Sequence, residues 1–306
     1  MNKLYIIGNG FDLYHGLPTS LTGFRSYSKS SDFSRLYENG VFMMSANQGL
    51  DEHWQHLENN LANFDIDEFI EYAKQFYDDD PHENQFAYEV DRALDILTVG
   101  LKVDLNRYLS LAENQTVKCD KLLQLDPDAL FICFNYTNTL ERVYNISPDR
   151  ICYIHGKLND LDDPIVVGHG MSSSEYMAPP SIDISTLSEE EFELFSDAYS
   201  PDIEYAVYEA YNYFKRSYKD TYTCIQDAEM FLKSLCTIDR VIVLGHSMSE
   251  IDKPYFDHIN KLVRSDCQWL VSYHLNYERD DIYNRLEEIV DDENRMELFK
   301  MSTLAC

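Results

Sequence analysis

The segment LYIIGNGFDLYHGLP at residues 4–18 constrains this chain most, because an apolar stretch runs directly into two glycines. Leu4, Tyr5, Ile6 and Ile7 are apolar without alternation, the pattern of a parallel strand covered on both faces. Gly8 and Gly10 follow at once. Glycines in that place permit a tight turn and let backbone amides approach an anion at the start of the next helix. The spacing is incomplete, since a dinucleotide turn reads G-x-G-x-x-G and Leu13 holds the third position. A glycine after a parallel strand also serves packing alone, so these residues leave nucleotide binding and packing both open.

Similar apolar runs recur along the chain. They are ALFICFNYT at 129–137, RICYIHG at 150–156, PIVVGHG at 164–170, DRVIVLGHS at 239–247 and QWLVSYHL at 268–275. Between them the spacing is helical. Trp54, Leu57 and Leu61, then Phe69, Ile70, Ala73 and Phe76, then Val90, Leu94, Leu97 and Leu101 return every three or four residues. Asp78, Asp79, Asp80 and Pro81 read as a solvated, charged turn within this layer. Ser188 followed by Glu189, Glu190 and Glu191 reads as an N-cap with carboxylates suited to the helix dipole. Pro254–Val263 reads as a short crossover helix. The pattern predicts an α/β, Rossmann-like fold with a mostly parallel sheet and helices on both faces. Residues 1–306 form a single domain on this reading, with a large, mainly helical insertion at 19–128 and a second at 188–236.

Charge and cysteine usage narrow the function. A net charge of −29 repels nucleic acid and anionic lipid, and no local basic patch offsets it. An anionic ligand would therefore need a pocket lined by amides and a few cations. The seven cysteines lie in apolar contexts without a C-x-x-C pair, which fits reduced thiols in a cytoplasm. No stretch has the layout of a signal peptide or the length of a membrane span. Neither H-E-x-x-H nor comparable ligand spacing occurs, so no metal is expected.

Ligands of open α/β sheets bind beyond the carboxyl ends of the strands. Five such ends carry polar clusters: Gly8-Asn9-Gly10 with Asp12, Asn135-Tyr136-Thr137-Asn138, His155-Gly156, Gly168-His169-Gly170 and Gly245-His246-Ser247. Each alone has a plain structural explanation, as a helix cap or a packed histidine. Together they point to one polar cleft.

The ordered motifs IIGNGFDLYHGLPTS, FNYTNTLE, IHG, GHG and GHSMSEIDKPYF resemble the AbiH-like abortive-infection proteins of bacterial anti-phage defence. HWQHLENNL at 53–61, with Trp54 and Glu58, resembles a segment of the same family. The same order is similar, more distantly, to sirtuin-like NAD-binding domains. That second resemblance implies NAD, or a related nucleotide, as ligand or substrate. It places Gly8, Asn9 and Gly10 near the pyrophosphate, and Gly245 and Ser247 near a phosphate or the adenosine ribose. Thr137, Gly156, Asp12 and Asp252 complete the implied binding set. Asn135 would orient water or ribose, and His155 would act as base during cleavage of the nicotinamide–ribose bond. A base with near-neutral pKa suits that step. Asp12, Asp252 and Glu141 could contact ribose hydroxyls or serve as helix caps and structural carboxylates. Thr19-Ser20 after the Gly16-Leu17-Pro18 turn, and the lack of a four-cysteine zinc module, depart from protein deacylases.

Two other functions remain on the sequence. Gly245-His246-Ser247-Met248-Ser249 resembles the G-x-S-x-G nucleophile elbow, with His258 and His274 following it, which would make Ser247 the nucleophile of a hydrolase. A non-catalytic nucleotide sensor would use the same pocket residues. The activating phage trigger, any partner protein and the oligomeric state are not written in the sequence.

Overall fold

Uninterrupted apolar runs become strands here, and paired helical stretches cover them. The computed structural model describes residues 2–45, 47–76, 85–158, 165–171, 176, 188, 190 and 200–305. Six strands, Lys3–Ile7 (β1), Leu130–Cys133 (β2), Ile151–Tyr153 (β3), Arg240–Leu244 (β4), Gln268–Tyr273 (β5) and Met296–Lys300 (β6), form one sheet in the order β3-β2-β1-β4-β5-β6. Every neighbouring pair is parallel. This is the Rossmann order 3-2-1-4-5-6, in which the winding reverses between the first and fourth strands.

Register brings the strand ends level. Ile7 lies beside both Cys133 and Leu244, and Cys133 lies beside Tyr153. The ladder continues one step further, with Gly8 N–H donating to Leu244 O, Phe134 N–H to Ile7 O and Ile154 N–H to Cys133 O. The loops after β3, β2, β1 and β4 therefore leave the sheet side by side.

Both faces of the sheet are buried, as the lack of alternation requires. Leu4, Ile6, Val241, Val243, Trp269 and Val271 pack with Tyr255, Phe256 and Ile259 of the Lys253–Leu262 helix and Leu286 of the Arg279–Val290 helix. Tyr5, Ile7, Phe131, Cys133, Ile242 and Leu244 pack on the opposite face with Phe11, Leu140 and Met301. Fully burying one such aliphatic or aromatic side chain contributes about 1.5–3 kcal/mol.

The chain divides into two compact units, Met1–Tyr27 with Leu105–Val166 and Asp220–Cys306, and Ser28–Asp104 with Val167–Lys219. The first holds the sheet. The second is helical, and its Pro201–Arg216 helix packs with the Ile66–Lys74 and Gln85–Asp95 helices. Ser200 caps the long helix by accepting from Ile203 N–H, and Pro201 occupies its first turn, where no amide hydrogen is needed. Aromatic side chains fill this unit: Trp54 is buried against Phe33 and Tyr37, and its indole N–H donates to Glu38 Oε1 at 2.9 Å.

Some sequence expectations change. PIVVGHG forms no strand over its described residues 165–170; His169 makes only an isolated bridge with Tyr218. Ile165 and Val167 are buried by packing without a ladder. Conversely, β6 is an additional parallel edge strand that its sequence, MELFK, hardly signals, since all five of its residues are half-buried or exposed. The acidic run at 78–81, and residues 189 and 191–199 of the stretch opened by Ser188, lie outside the described residues. No described helix is long and apolar enough to cross a membrane.

Candidate functional site

The reversal of winding puts the ends of β1 and β4 side by side, and glycines make their contact possible. A Cβ on Gly8 would stand 2.6 Å from His246 Cα, and one on Gly10 would stand 2.8 Å from Gly245 Cα. Gly245 itself has φ +65°, and its Cβ would meet Phe11 N at 2.2 Å. Gly10 N–H donates to Gly245 O at 2.8 Å, while Gly8 N–H goes to Leu244 O. Within the chain, then, the close approach these glycines permit is that of the Gly245–His246 backbone, and two of the amides at the turn are already engaged. Asn9, exposed on the Asn9–Tyr14 helix, donates through Nδ2 to Thr19 O and folds the 16–20 segment back over the turn.

Beside this junction sits Asp12, 1% exposed. Thr137, in the loop after β2, donates from Oγ1 to Asp12 Oδ2 at 2.5 Å, and Thr139 lies 3.2 Å from Thr137. Burial pushes the Asp12 carboxyl above the usual carboxylate value; the Thr137 and Thr139 hydroxyls, the Arg142 charge and the Asn135 amide oppose it only in part. Among the described residues, Asp12 Oδ1 and Asn135 Nδ2 are buried without a hydrogen-bond partner. Asn135 is near enough to favour the charged carboxylate but not in hydrogen-bonding geometry. A buried acceptor and a buried donor left open are costly unless something else completes them.

His155 follows β3 and is buried. Its carbonyl accepts from Val166 N–H, and Gly156, at φ +78°, turns the chain immediately after it. His155 Nε2 lies 3.8 Å from Asp252 Oδ1. On the other side, His246 Nε2 lies 3.6 Å from Asp252 Oδ2. Phe134 packs edge-on between the two imidazoles, with Tyr255 against His155 and Phe256 against His246. The polar groups here are thus set in an aromatic wall, where electrostatic interactions are stronger than in water.

The structure brings together four of the five polar strand ends in the first unit. The fifth, Gly168-His169-Gly170, belongs to the other unit. There His169 Nδ1 accepts from Met171 N–H and its Nε2 donates to Phe214 O. Glu58 of the HWQHLENNL segment lies in the same unit, 3.2 Å from the fully buried Lys219 ammonium. Glu141 pairs with Lys157 at 2.6 Å. Ser247 is exposed, and the left-handed residues near it are Gly245 and Met248 rather than Ser247 itself. The next helix starts only at Lys253, so the abrupt strand-to-helix turn of a nucleophile elbow is not formed there. No group of three or more His, Cys, Asp or Glu residues suited to a metal ion occurs among the described residues.

A family model for bacteriophage abortive infection AbiH proteins matches residues 4–273. The chain belongs to the AbiH family. Its role is accordingly one in abortive-infection defence against phage. No curated protein and no solved structure matches this AbiH chain. One site residue, Thr139, escapes motif reading, and His246 enters it only as part of the Gly245-His246-Ser247 strand end. His246 looks like one more packed histidine after a strand, and Thr139 like an ordinary helix-opening residue; only the register of β4 against β1 and the Asp12 contact give them a place. The glycine after β4 was the available signal for His246.

Proposed function

We propose that this AbiH protein binds NAD or a related nucleotide at the carboxyl edge between β1 and β4 and hydrolyses its nicotinamide–ribose bond. The observation that carries the reading is the pair of buried, unpartnered polar atoms, Asp12 Oδ1 and Asn135 Nδ2, on the same sheet edge as His155. Rossmann-order sheets place ligands at this reversal. The resemblance of the motifs to sirtuin-like domains supplies the choice of NAD.

In the proposed reaction, water attacks the anomeric carbon as the C–N bond breaks. The bond pair returns to the pyridinium nitrogen, so nicotinamide leaves neutral, and the water proton passes to His155. Asn135 orients the water or ribose through its open amide. The products are nicotinamide, ADP-ribose and a proton. Positioned proton transfer of this kind is worth about 10²–10⁴-fold.

Incubation of purified protein with NAD, followed by chromatography of nicotinamide and by calorimetry, tests the reading. Release of nicotinamide supports it. Binding without release, with or without lysate of phage-infected cells, would make the protein a nucleotide sensor. Absence of both binding and release would remove NAD from the account.

A further inference from the structure

Asp252 sits at the N-cap of the Lys253–Leu262 helix, where an aspartate ordinarily accepts a backbone N–H of the first turn. It makes no such bond. Its carboxylate is instead directed at two imidazoles, Oδ1 at His155 Nε2 and Oδ2 at His246 Nε2, 3.8 and 3.6 Å away, with Ser249 Oγ donating to Oδ2 at 3.2 Å. We propose that Asp252 is a positioning residue that holds the orientation and proton placement of both histidines, and that His246 is thereby the second histidine of the site.

The proton placement follows from the contacts. His246 Nδ1 accepts the Met248 N–H at 2.8 Å, so the neutral ring carries its proton on Nε2, the atom facing Asp252. Met248 is held at φ +52°, which is unusual for a residue other than glycine, and the bend it makes returns its own amide to that ring. At His155 the second carboxylate oxygen favours a proton on Nε2 in the same way, and the neutral ring then has Nδ1 as its basic atom. Both distances exceed a hydrogen bond, so the coupling is electrostatic and operates through the enclosure formed by Phe134, Tyr255 and Phe256. Asp252 itself has helical angles (φ −95°, ψ −9°) and closes a turn from Ser249, which leaves its carboxylate facing the two rings and not the first-turn amides.

The role in catalysis rests on the proposed NAD hydrolysis, but the arrangement is testable without it. Imidazole nitrogen shifts of the full-length, 15N-labelled protein report which ring atom is protonated, with His155 and His246 assigned through the single variants His155→Gln and His246→Gln. The expected result is Nε2 protonation of both neutral rings, a shift of both in Asp252→Asn, and no shift of His15 or His53, which have other partners. Nicotinamide release by Asp252→Asn should fall about 10²-fold with little change in KM. Wild-type protein that leaves NAD intact while both rings respond to Asp252→Asn would sink the hydrolase reading and uphold the positioning role. Folded Asp252→Asn protein with both rings unchanged, or His246 protonated on Nδ1 in the wild type, would overturn the positioning role whatever the NAD result.

Discussion

Thr137 Oγ1 donates to Asp12 Oδ2 at 2.5 Å, joining the helix after β1 to the loop after β2 at the bottom of the polar strand ends. The bond leaves Asp12 Oδ1 buried and open among the described residues. A carboxylate so placed costs stability, because its open oxygen has lost water without gaining a donor.

That cost has a pH signature. Burial raises the folded-state value of Asp12 above its ordinary 3.8, so its contribution is most favourable below the unfolded value and is lost as pH rises through the folded one. Asp12→Asn removes this loss while keeping an oxygen for Thr137. The variant should be at least as stable as wild type at pH 7, and any advantage should shrink toward pH 4. Urea denaturation of both proteins across that range measures it; a variant clearly weaker than wild type at pH 7 would contradict the reading of Asp12.

Gly245 and Gly16 offer a matched comparison, because both have positive φ, +65° and +75°. An added methyl at Gly16 meets nothing within 4 Å, whereas at Gly245 it strikes the Gly10–Phe11 backbone. Gly16→Ala should cost roughly 1–2 kcal/mol from the left-handed conformation alone. Gly245→Ala should cost clearly more, with lower thermal stability and loss of any ligand binding at the junction. Equal losses in calorimetric melts would mean that the junction between β1 and β4 yields more readily than the contact distances imply.

In the helical unit, Lys219 is fully buried while its partner Glu58 is partly exposed. Removing the carboxylate takes the Glu58 partner from a buried charge; removing the ammonium leaves a carboxylate that can turn to water. Glu58→Gln should therefore destabilise by about 2 kcal/mol or more, and Lys219→Met by less. Denaturant midpoints of the two variants decide the order, and a reversed order would show that Lys219 is held mainly by other groups.

Much of the sheet was legible because β1 and β4 are apolar without interruption, as fully covered strands must be. Strand β6 was not, since an edge strand with Glu297 and Lys300 among five residues carries no such signature. PIVVGHG misled for the opposite reason: Ile165 and Val167 are buried, but no described residue pairs with them as a ladder. The same limit applied at the site. Gly8, Gly10 and Gly245 were visible as glycines, yet their reason, one backbone against another from a distant part of the chain, depends on strand order. Asp252 looked equally like a helix cap or a ligand contact, and only its helical backbone and its closeness to His155 and His246 separate these uses.

The most direct measurement is nicotinamide release from NAD by the wild-type protein, by His155→Gln and by Asn135→Ala, each checked for an unchanged thermal melt. The account predicts release by the wild type and a fall of about 10²-fold or more in both variants. Release that persists undiminished in both variants, or a wild type that neither binds nor cleaves NAD, would contradict it.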